Sequence, residues 1–479
     1  MQFNNVALIG IGQQALRSHI PMILRNKNTI EDVTTLINTI IDYPEIIHQQ
    51  GGRIDKLCGD AVHRVSLPSN KNFELDDARY VLSQAVSQGA NKFIVSTEPV
   101  AHKHYLNVLL EQKYPFLIDK PIICYPDASI EPNQLYLGLN SLQEIEKISR
   151  TNTNCFVNIS RRLVDCFQRV RDEICQCYNQ TKQIVTSVSV NYFDGEARSL
   201  SGIIKQKNHP FHLGYGTLYH STYHVIDTGL WLLGLTHPDL ISKMEVISTA
   251  RTAKDYLYSR EDLSEELKII DLDMHHCLEE DTQCTEFMNN KALFTEYDVS
   301  ITIKILRSDG HTVLLTVNSF HDSASFRKWS FPKNDQERYH NARLSDETYH
   351  IIQGEMQNIF LRRHEIPTLD NDCGPRINKV FYSDVTRNMF MCDMIRKKPF
   401  EILVNNEFMD TIDNSGKNRA MRAFLEYSPE ENNLDGDGGC LSEMSLIQHI
   451  NTQRIILLAS GSLANNGKIM VWRSSSSSK

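Results

Sequence analysis

The sequence lacks any run of about 18 apolar residues, the length a membrane-spanning helix needs, so no span is expected in its 479 residues. It also lacks a basic excess. Lysine and arginine number 50 against 59 aspartates and glutamates, a net charge of −9, which argues against a nucleic-acid surface. Paired cysteine spacing is missing too: the 11 cysteines are an odd, scattered set. The opening MQFNNVALIG has no basic segment before a cleavage site. Reduced thiols and a cytoplasmic location are therefore the expectation. Internal repeats are absent as well.

What is present is a globular composition, 41% hydrophobic and 23% charged, with length for two or three domains. The negative charge is concentrated: residues 261–298 hold twelve acidic residues against two lysines. That segment reads as a solvated insertion, and the rest of the chain is close to neutral. The final SSSSSK reads as a flexible tail.

The N-terminal half alternates strands and helices. Val6–Ile9 is an apolar strand running into Gly10-Ile11-Gly12-Gln13-Gln14-Ala15 and then a helical stretch. In G-x-G-x-x-A the first glycine permits a tight turn and the second lets backbone approach a pyrophosphate. The small last residue lets helix and strand pack, and the helix N-terminus favours phosphate. A second strand, Thr35–Ile41, ends at Asp42. There a carboxylate would accept ribose hydroxyls and repel the extra phosphate of NADP, so NAD is slightly preferred over NADP. A turn or cap aspartate before Pro44 is the competing reading. Further on, KFIVS (92–96) opens into Thr97-Glu98-Pro99-Val100-Ala101-His102, and Pro115–Ile118 into Asp119-Lys120-Pro121. This alternation predicts a doubly wound parallel sheet whose carboxyl edge gathers these loops.

Residues 211–234, FHLGYGTLYHSTYHVIDTGLWLLG, form a glycine-punctuated loop and a helix-like stretch. Read as one helix, it puts His220, His224, Asp227 and Trp231 on one face. That face is either a wall of an active site or a buried helix with satisfied histidines. The spacing of His220 and His224 would also suit two zinc ligands, but no third ligand is evident. His275-His276-Cys277 with Cys284 lacks a second ligand pair, so no metal is expected. Beyond it, alternation at 184–193 and at 297–306 with 312–317 around Ser308-Asp309-Gly310, together with later apolar runs such as 350–361, predicts strands, and 442–460 a helix.

Taken together, GIGQQA, TEPVAH followed by Asp119-Lys120-Pro121, CFVNISRR at 155–162, and His220-x-x-x-His224-x-x-Asp227 before WLLG resemble the glucose-fructose oxidoreductase and inositol dehydrogenase (Gfo/Idh/MocA) family over roughly residues 1–235. The resemblance implies an α/β protein: a Rossmann doubly wound domain (1–150), then an α+β domain (151–460) with a large open, mainly antiparallel sheet. A flexible tail (461–479) would follow.

It implies an NAD(P)-dependent oxidoreductase. Hydride would pass between nicotinamide and a sugar-like or cyclic polyol alcohol or ketone, or a C=N bond. A catalytically silent dinucleotide-binding protein of the same fold is the alternative. Lys120 and His224 are the implied acid/base pair, with His220 beside them. Gly10, Ile11, Gly12, Gln13, Gln14, Asp42, Thr97, Glu98, His102 and Lys120 would meet the cofactor. Arg161, His220, Tyr223, His224 and Asp227 would line the substrate. A lysine beside a positive nicotinamide, partly desolvated, should have its pKa lowered. Histidine needs no such help. A small-molecule substrate and a homo-oligomer, dimer or tetramer, are also implied. The sequence departs from the family at Glu98, Pro99 and Asp119. Most consequentially, His220 stands where the family carries an aspartate.

Overall fold

The computed structural model describes residues 2–12, 14–26, 33–58, 62–68, 73–194, 211–258, 291–321, 345–368, 376–387, 397–399, 403–404, 416–429 and 439–474. The chain divides into two compact units. The first comprises residues 1–124, 138–164 and 413–453; the second comprises 125–137, 165–412 and 454–479.

In the first unit, β1 (Gln2–Ile9), β2 (Val33–Asp42), β3 (His63–Ser66), β4 (Lys92–Val95), β5 (Phe116–Asp119) and β6 (Cys155–Asn158) form one parallel sheet in the order 3-2-1-4-5-6. The short apolar runs that build it carry no alternation because both faces are covered: every residue of β4 and β6 is buried. Helices α1 (Ile20–Asn26), α2 (Pro44–Cys58), α3 (Leu75–Ser87), α4 (Pro99–Glu111) and α5 (Asn133–Ser149) supply the intervening elements. Strand order reverses between β1 and β4, the switch point where ligands of such sheets bind.

Two expectations change here. The CFVN run, expected to open the second domain, is the sixth strand of this sheet. A late helix, α9 (Gly416–Glu426), belongs to the first unit. Gly416 is obligatory there, since a Cβ would lie 2.0 Å from the Ser160 carbonyl oxygen.

In the second unit a mixed sheet runs β14-β13-β12-β11-β7-β10-β9-β8-β16, with β15 on β13. Its strands are β7 (Ser187–Asp194), β8 (Ile241–Thr252), β9 (Glu296–Arg307), β10 (Thr312–Phe320), β11 (Ser345–Gln353), β12 (Gln357–Thr368), β13 (Arg376–Arg387), β14 (Lys397–Pro399), β15 (Leu403–Val404) and β16 (Met470–Arg473). Only β7 and β10 pair in parallel. The expected hairpin at Ser308–Gly310 is present: β9 and β10 pair antiparallel through it, with Gly310 at φ +89°.

Alternation is visible along β7, β10 and β11. Helix α7 (Thr222–Leu232) packs on the buried face, and Gly229 brings it close to β10: a Cβ there would lie 2.7 Å from a Leu315 methyl. Helix α6 (Asp165–Thr181), the short helices α8 (Ala253–Tyr258) and α10 (Cys440–Met444), and α11 (Ile450–Ala464) complete the described helices. The tail expected from 461 is instead structured: α11 runs to Ala464, and β16 pairs with β8.

Residues 259–290, which hold most of the acidic segment and the His275–Cys284 cluster, lie outside the described residues, as do 322–344 and the terminal serines. The seven described cysteines are all free thiols. Among the described residues, no helix is long and apolar enough to cross a membrane.

Candidate functional site

The carboxyl edge of the parallel sheet is built around two glycines with different physical reasons. Gly10 sits at φ +87°, and a Cβ on it would lie 2.6 Å from the Ser96 carbonyl oxygen and 2.9 Å from the Thr97 Cα. It lets the turn after β1 touch the loop after β4. Gly12 is exposed, and a Cβ there would meet nothing within 4 Å. Among the described residues nothing crowds that glycine, and the open space beside it is what a phosphate would use. Gly12→Ala should therefore leave the melting temperature unchanged while weakening dinucleotide binding by about tenfold; fluorescence titration with NADH reads it. Equal affinity would mean the turn holds no pyrophosphate.

Gln13 lies outside the described residues, and Gln14 is half-buried. The helix that follows does not begin as a regular α-helix. Ala15–His19 is a π turn, closed by the Ile20 N–H donating to the Ala15 carbonyl. Such turns recur at functional sites.

Asp42 ends β2, as the sequence predicts. The N–H of the buried Ile11 donates to its Oδ2 at 2.6 Å, and the Tyr43 N–H donates to Oδ1 at 2.7 Å. The carboxylate thus fastens the glycine turn to β2. It retains acceptor capacity, since a carboxylate has about four lone-pair directions. Burial pushes its pKa up, the two N–H bonds draw it down, and Glu45 adds to the rise.

Across the switch point, Thr97 is half-buried and Glu98 occupies the N-cap of α4 ahead of Pro99. Burial first, and then the Asp42 charge, push the Glu98 carboxyl up to about 7. His102 is wholly buried, with Nδ1 2.8 Å from the Pro121 carbonyl and Nε2 3.2 Å from the Thr97 carbonyl. Burial lowers its pKa against those carbonyls and Asp119. Expected as a cofactor contact, His102 is instead a tie between the loops after β4 and β5.

Lys120 follows β5 directly and is half-buried, and the Lys120–Pro121 peptide is cis. Next to it, Asp119 accepts hydrogen bonds from His19 Nε2 at 2.9 Å, Ser96 Oγ at 2.8 Å and Asn158 Nδ2 at 2.8 Å. Burial alone would raise this carboxyl, but His19, Asn158 and Ser96 hold it well below the usual carboxylate range. The sequence reading missed His19, Ser96 and Asn158. Ser96 directly follows β4 and Asn158 closes β6, a position that could have flagged them; His19 had no such signal.

In the second unit, the glycines of the 211–221 loop serve packing. A Cβ at Gly216 would lie 2.2 Å from the Glu296 carbonyl oxygen. Thr217 N–H donates to that carbonyl at 3.1 Å, and Leu218 N–H donates to the Glu296 carboxyl at 3.2 Å. Burial raises the Glu296 pKa against its hydrogen bonds. Gly214, at φ +80°, accepts from the Asp127 N–H at 2.6 Å.

The helix then starts later than the sequence predicts. Ser221 is the N-cap and Thr222 the first helical residue. His220 is exposed in the preceding turn and does not share the helical face of His224, Asp227 and Trp231. His224 is half-buried, whereas Tyr223, Asp227 and Trp231 are buried. Tyr223 lies edge-on to the His224 ring at 6.3 Å, and the Arg171 guanidinium lies 5.7 Å from the Trp231 ring.

Arginines 161 and 162 lie in the first unit, just beyond β6. Arg162, next to the candidate Arg161, is fully buried. It donates to the Glu443 and Gln448 carbonyls, each at 3.2 Å. Arg161 is half-buried. Among the described residues, no three His, Cys, Asp or Glu side chains are grouped so as to hold a metal.

The first unit thus brings Gly10, Ile11, Gly12, Asp42, Thr97, Glu98 and Lys120 to one sheet edge. The second places His220, Tyr223, His224 and Asp227 on one turn and the helix it enters. A parallel sheet with the 3-2-1-4-5-6 order and a glycine turn at its switch point is the architecture of dinucleotide-binding proteins. No family model matches the chain, and no curated protein matches it in sequence. Solved structures share the fold.

A candidate oxidoreductase from Thermotoga maritima is 13% identical with a TM-score of 0.52, covering 98% of this chain and 100% of its own. Apo scyllo-inositol dehydrogenase from Lactobacillus casei is 10% identical with a TM-score of 0.50, covering 98% of each chain. GenD2 from gentamicin A biosynthesis, solved in complex with NAD, is 10% identical with a TM-score of 0.50, covering 99% of this chain and 97% of its own. At these identities the likeness is one of fold.

Proposed function

We propose that the protein is a cytoplasmic NAD(P)-dependent oxidoreductase of the Gfo/Idh/MocA type, acting on a sugar-like or cyclic polyol hydroxyl or the corresponding ketone. The observation that carries this reading is the pair of features at the switch point: open space at Gly12 and the Asp42 carboxylate at the end of β2. Oxidoreductases among the structures of the same fold, one of them solved with NAD, support the class. When bound, the nicotinamide would take up or release hydride.

The chain's own residues would do the rest. Gly12 and the helix N-terminus would receive the pyrophosphate, and Asp42 the ribose hydroxyls. Lys120 and His224 would give or accept the hydroxyl proton. His220, Arg161, Tyr223 and Asp227 would shape or orient the substrate. His220 in place of a carboxylate favours a variant in which a C=N bond is reduced, since an imine does not need the same proton relay. It also keeps alive a binding protein without turnover. We place homo-oligomer contacts on the open face of the second unit's sheet.

NADH and NADPH titration followed by a panel of polyols, sugars and imines separates these readings. Turnover is the expected result, and tight binding without turnover on any of them would leave the binding protein. For cofactor choice, Asp42→Asn removes the charge while keeping an acceptor for the Ile11 N–H. It should raise NADPH affinity relative to NADH by about tenfold; unchanged selectivity in the same titration would exclude Asp42 as the discriminator.

A further inference from the structure

Ser221 occupies the N-cap of α7 but does not cap it. A serine there ordinarily accepts a hydrogen bond from an N–H of the first helical turn. Its hydroxyl is bonded instead to Nε2 of His321, one hundred residues away and just beyond β10. Serine and histidine are both buried. A second side-chain bond joins the same places, Thr222 Oγ1 donating to Ser319 Oγ at 2.8 Å.

His321 is itself held from several sides. Its N–H donates to Asp298 Oδ1 at 2.6 Å, and the Tyr297 hydroxyl donates to its carbonyl at 3.2 Å. Asp298 Oδ1 lies 4.0 Å from the ring Nδ1, and Arg251 Nε donates to Asp298 Oδ2 at 2.8 Å. Tyr192 of β7, bonded to Asp194, faces the ring at 6.1 Å. The groups around the imidazole are therefore Asp298 and Tyr297 from β9, with Arg251 of β8 bonded to Asp298, and the tyrosine–aspartate pair from β7. Which partner donates in the Ser221–His321 bond follows the ring tautomer, and either way the bond ties the two side chains.

A cap given up for a long-range bond is a local rule broken, which is where functional constraint concentrates. Ser221 lies between the two candidate histidines. The His220 N–H donates to the Thr217 carbonyl at 3.1 Å and the His224 N–H to the Ser221 carbonyl at 3.3 Å. Ser221 thus stands at the junction between the turn that carries His220 and the helix that carries His224.

We propose that His321 is a positioning residue that acts through the Ser221 hydroxyl to set the turn before α7, and with it the environment of His220 and His224. Its meaning for catalysis rests on the proposed function, but its test does not.

The test is histidine-selective NMR titration of the full chain, with His220→Gln and His224→Gln assigning two of the 18 histidines. Ser221→Ala should move the titration midpoint of His220 or His224 by about half a pH unit or more. The melting temperature should stay within about 2 °C. His321→Gln should move the same resonances, and Ser221→Thr, which keeps the hydroxyl, should restore them. Midpoints unchanged in both Ser221→Ala and His321→Gln would overturn the proposal. So would a fall in melting temperature with unmoved midpoints, which would reduce Ser221 to a packing role. Neither dinucleotide binding nor turnover enters the readout, so failure here and failure of the oxidoreductase reading are seen separately.

Discussion

Lys92→Met should lower the stability of the first unit by about 3 kcal/mol, a fall in melting temperature of roughly 6–12 °C for a unit of this size. Lys92 begins β4 and is 2% exposed, unusual burial for a lysine. Its ammonium donates to the carbonyls of Phe424 at 3.0 Å, Leu425 at 2.7 Å and Tyr427 at 2.7 Å. These are the last carbonyls of α9 and the residue just past it. They have no helical partner, and the helix dipole favours a cation at that end. Burial pushes the Lys92 pKa down to about 7, with Glu426 opposing. The three carbonyl oxygens, one for each N–H of an ammonium, oppose it too. Methionine fills the space but removes the donor to all three carbonyls, of which the Leu425 carbonyl keeps another, from Asn4.

Lys92 lies at the opposite end of β4 from Ser96. Dinucleotide affinity below the melting transition should therefore be unchanged. Calorimetry with NADH titration checks both, and an unshifted melting temperature would mean that α9 is held by its apolar face alone.

That tie also marks where sequence reading reaches its limit. Local signals carried far. The apolar runs of β4 and β5, the glycine turn after β1, the end of β2 at Asp42 and the hairpin at Gly310 are each specified within about ten residues of chain. The return of α9 to the parallel sheet is not, because its partners are Lys92, Asn4 and Ser160, hundreds of residues upstream. A lysine at the head of a buried strand gives no sign that its charge will serve a helix end.

The candidate site divides in the same way. The sheet edge that gathers Gly10, Asp42, Thr97 and Lys120 follows strand ends and was legible. The start of α7 differs from the periodicity, which runs through His220: Ser221 stands at the N-cap with its hydroxyl bonded to His321 and not to the first helical turn. Of the glycines before α7, marked in the sequence only as loop punctuation, Gly216 is a close-packing position against Glu296 and Gly214 one against Asp127.

Lys120→Ala should lower kcat by about 10²–10⁴, or roughly 3–5 kcal/mol of transition-state stabilisation, on whichever compound of the panel turns over. The loss should fall on kcat with NADH affinity nearly unchanged, because a proton-transfer group acts in the transition state. The fold should tolerate the substitution. Lys120 is half-buried, and the hydrogen bonds that secure the neighbouring Asp119 come from His19, Ser96 and Asn158.

Lys120→Arg separates charge from proton transfer. A guanidinium keeps the positive charge but cannot act as a base near neutral pH. If Lys120 served only to orient the substrate electrostatically, the arginine variant would retain most of the activity. As the acid/base, it should be as impaired as the alanine variant, and the limb of the pH–kcat profile that belongs to the lysine should vanish in both. Retained kcat in Lys120→Ala would move the acid/base role to His224 alone. His224→Gln measured on the same compound would then carry the full loss.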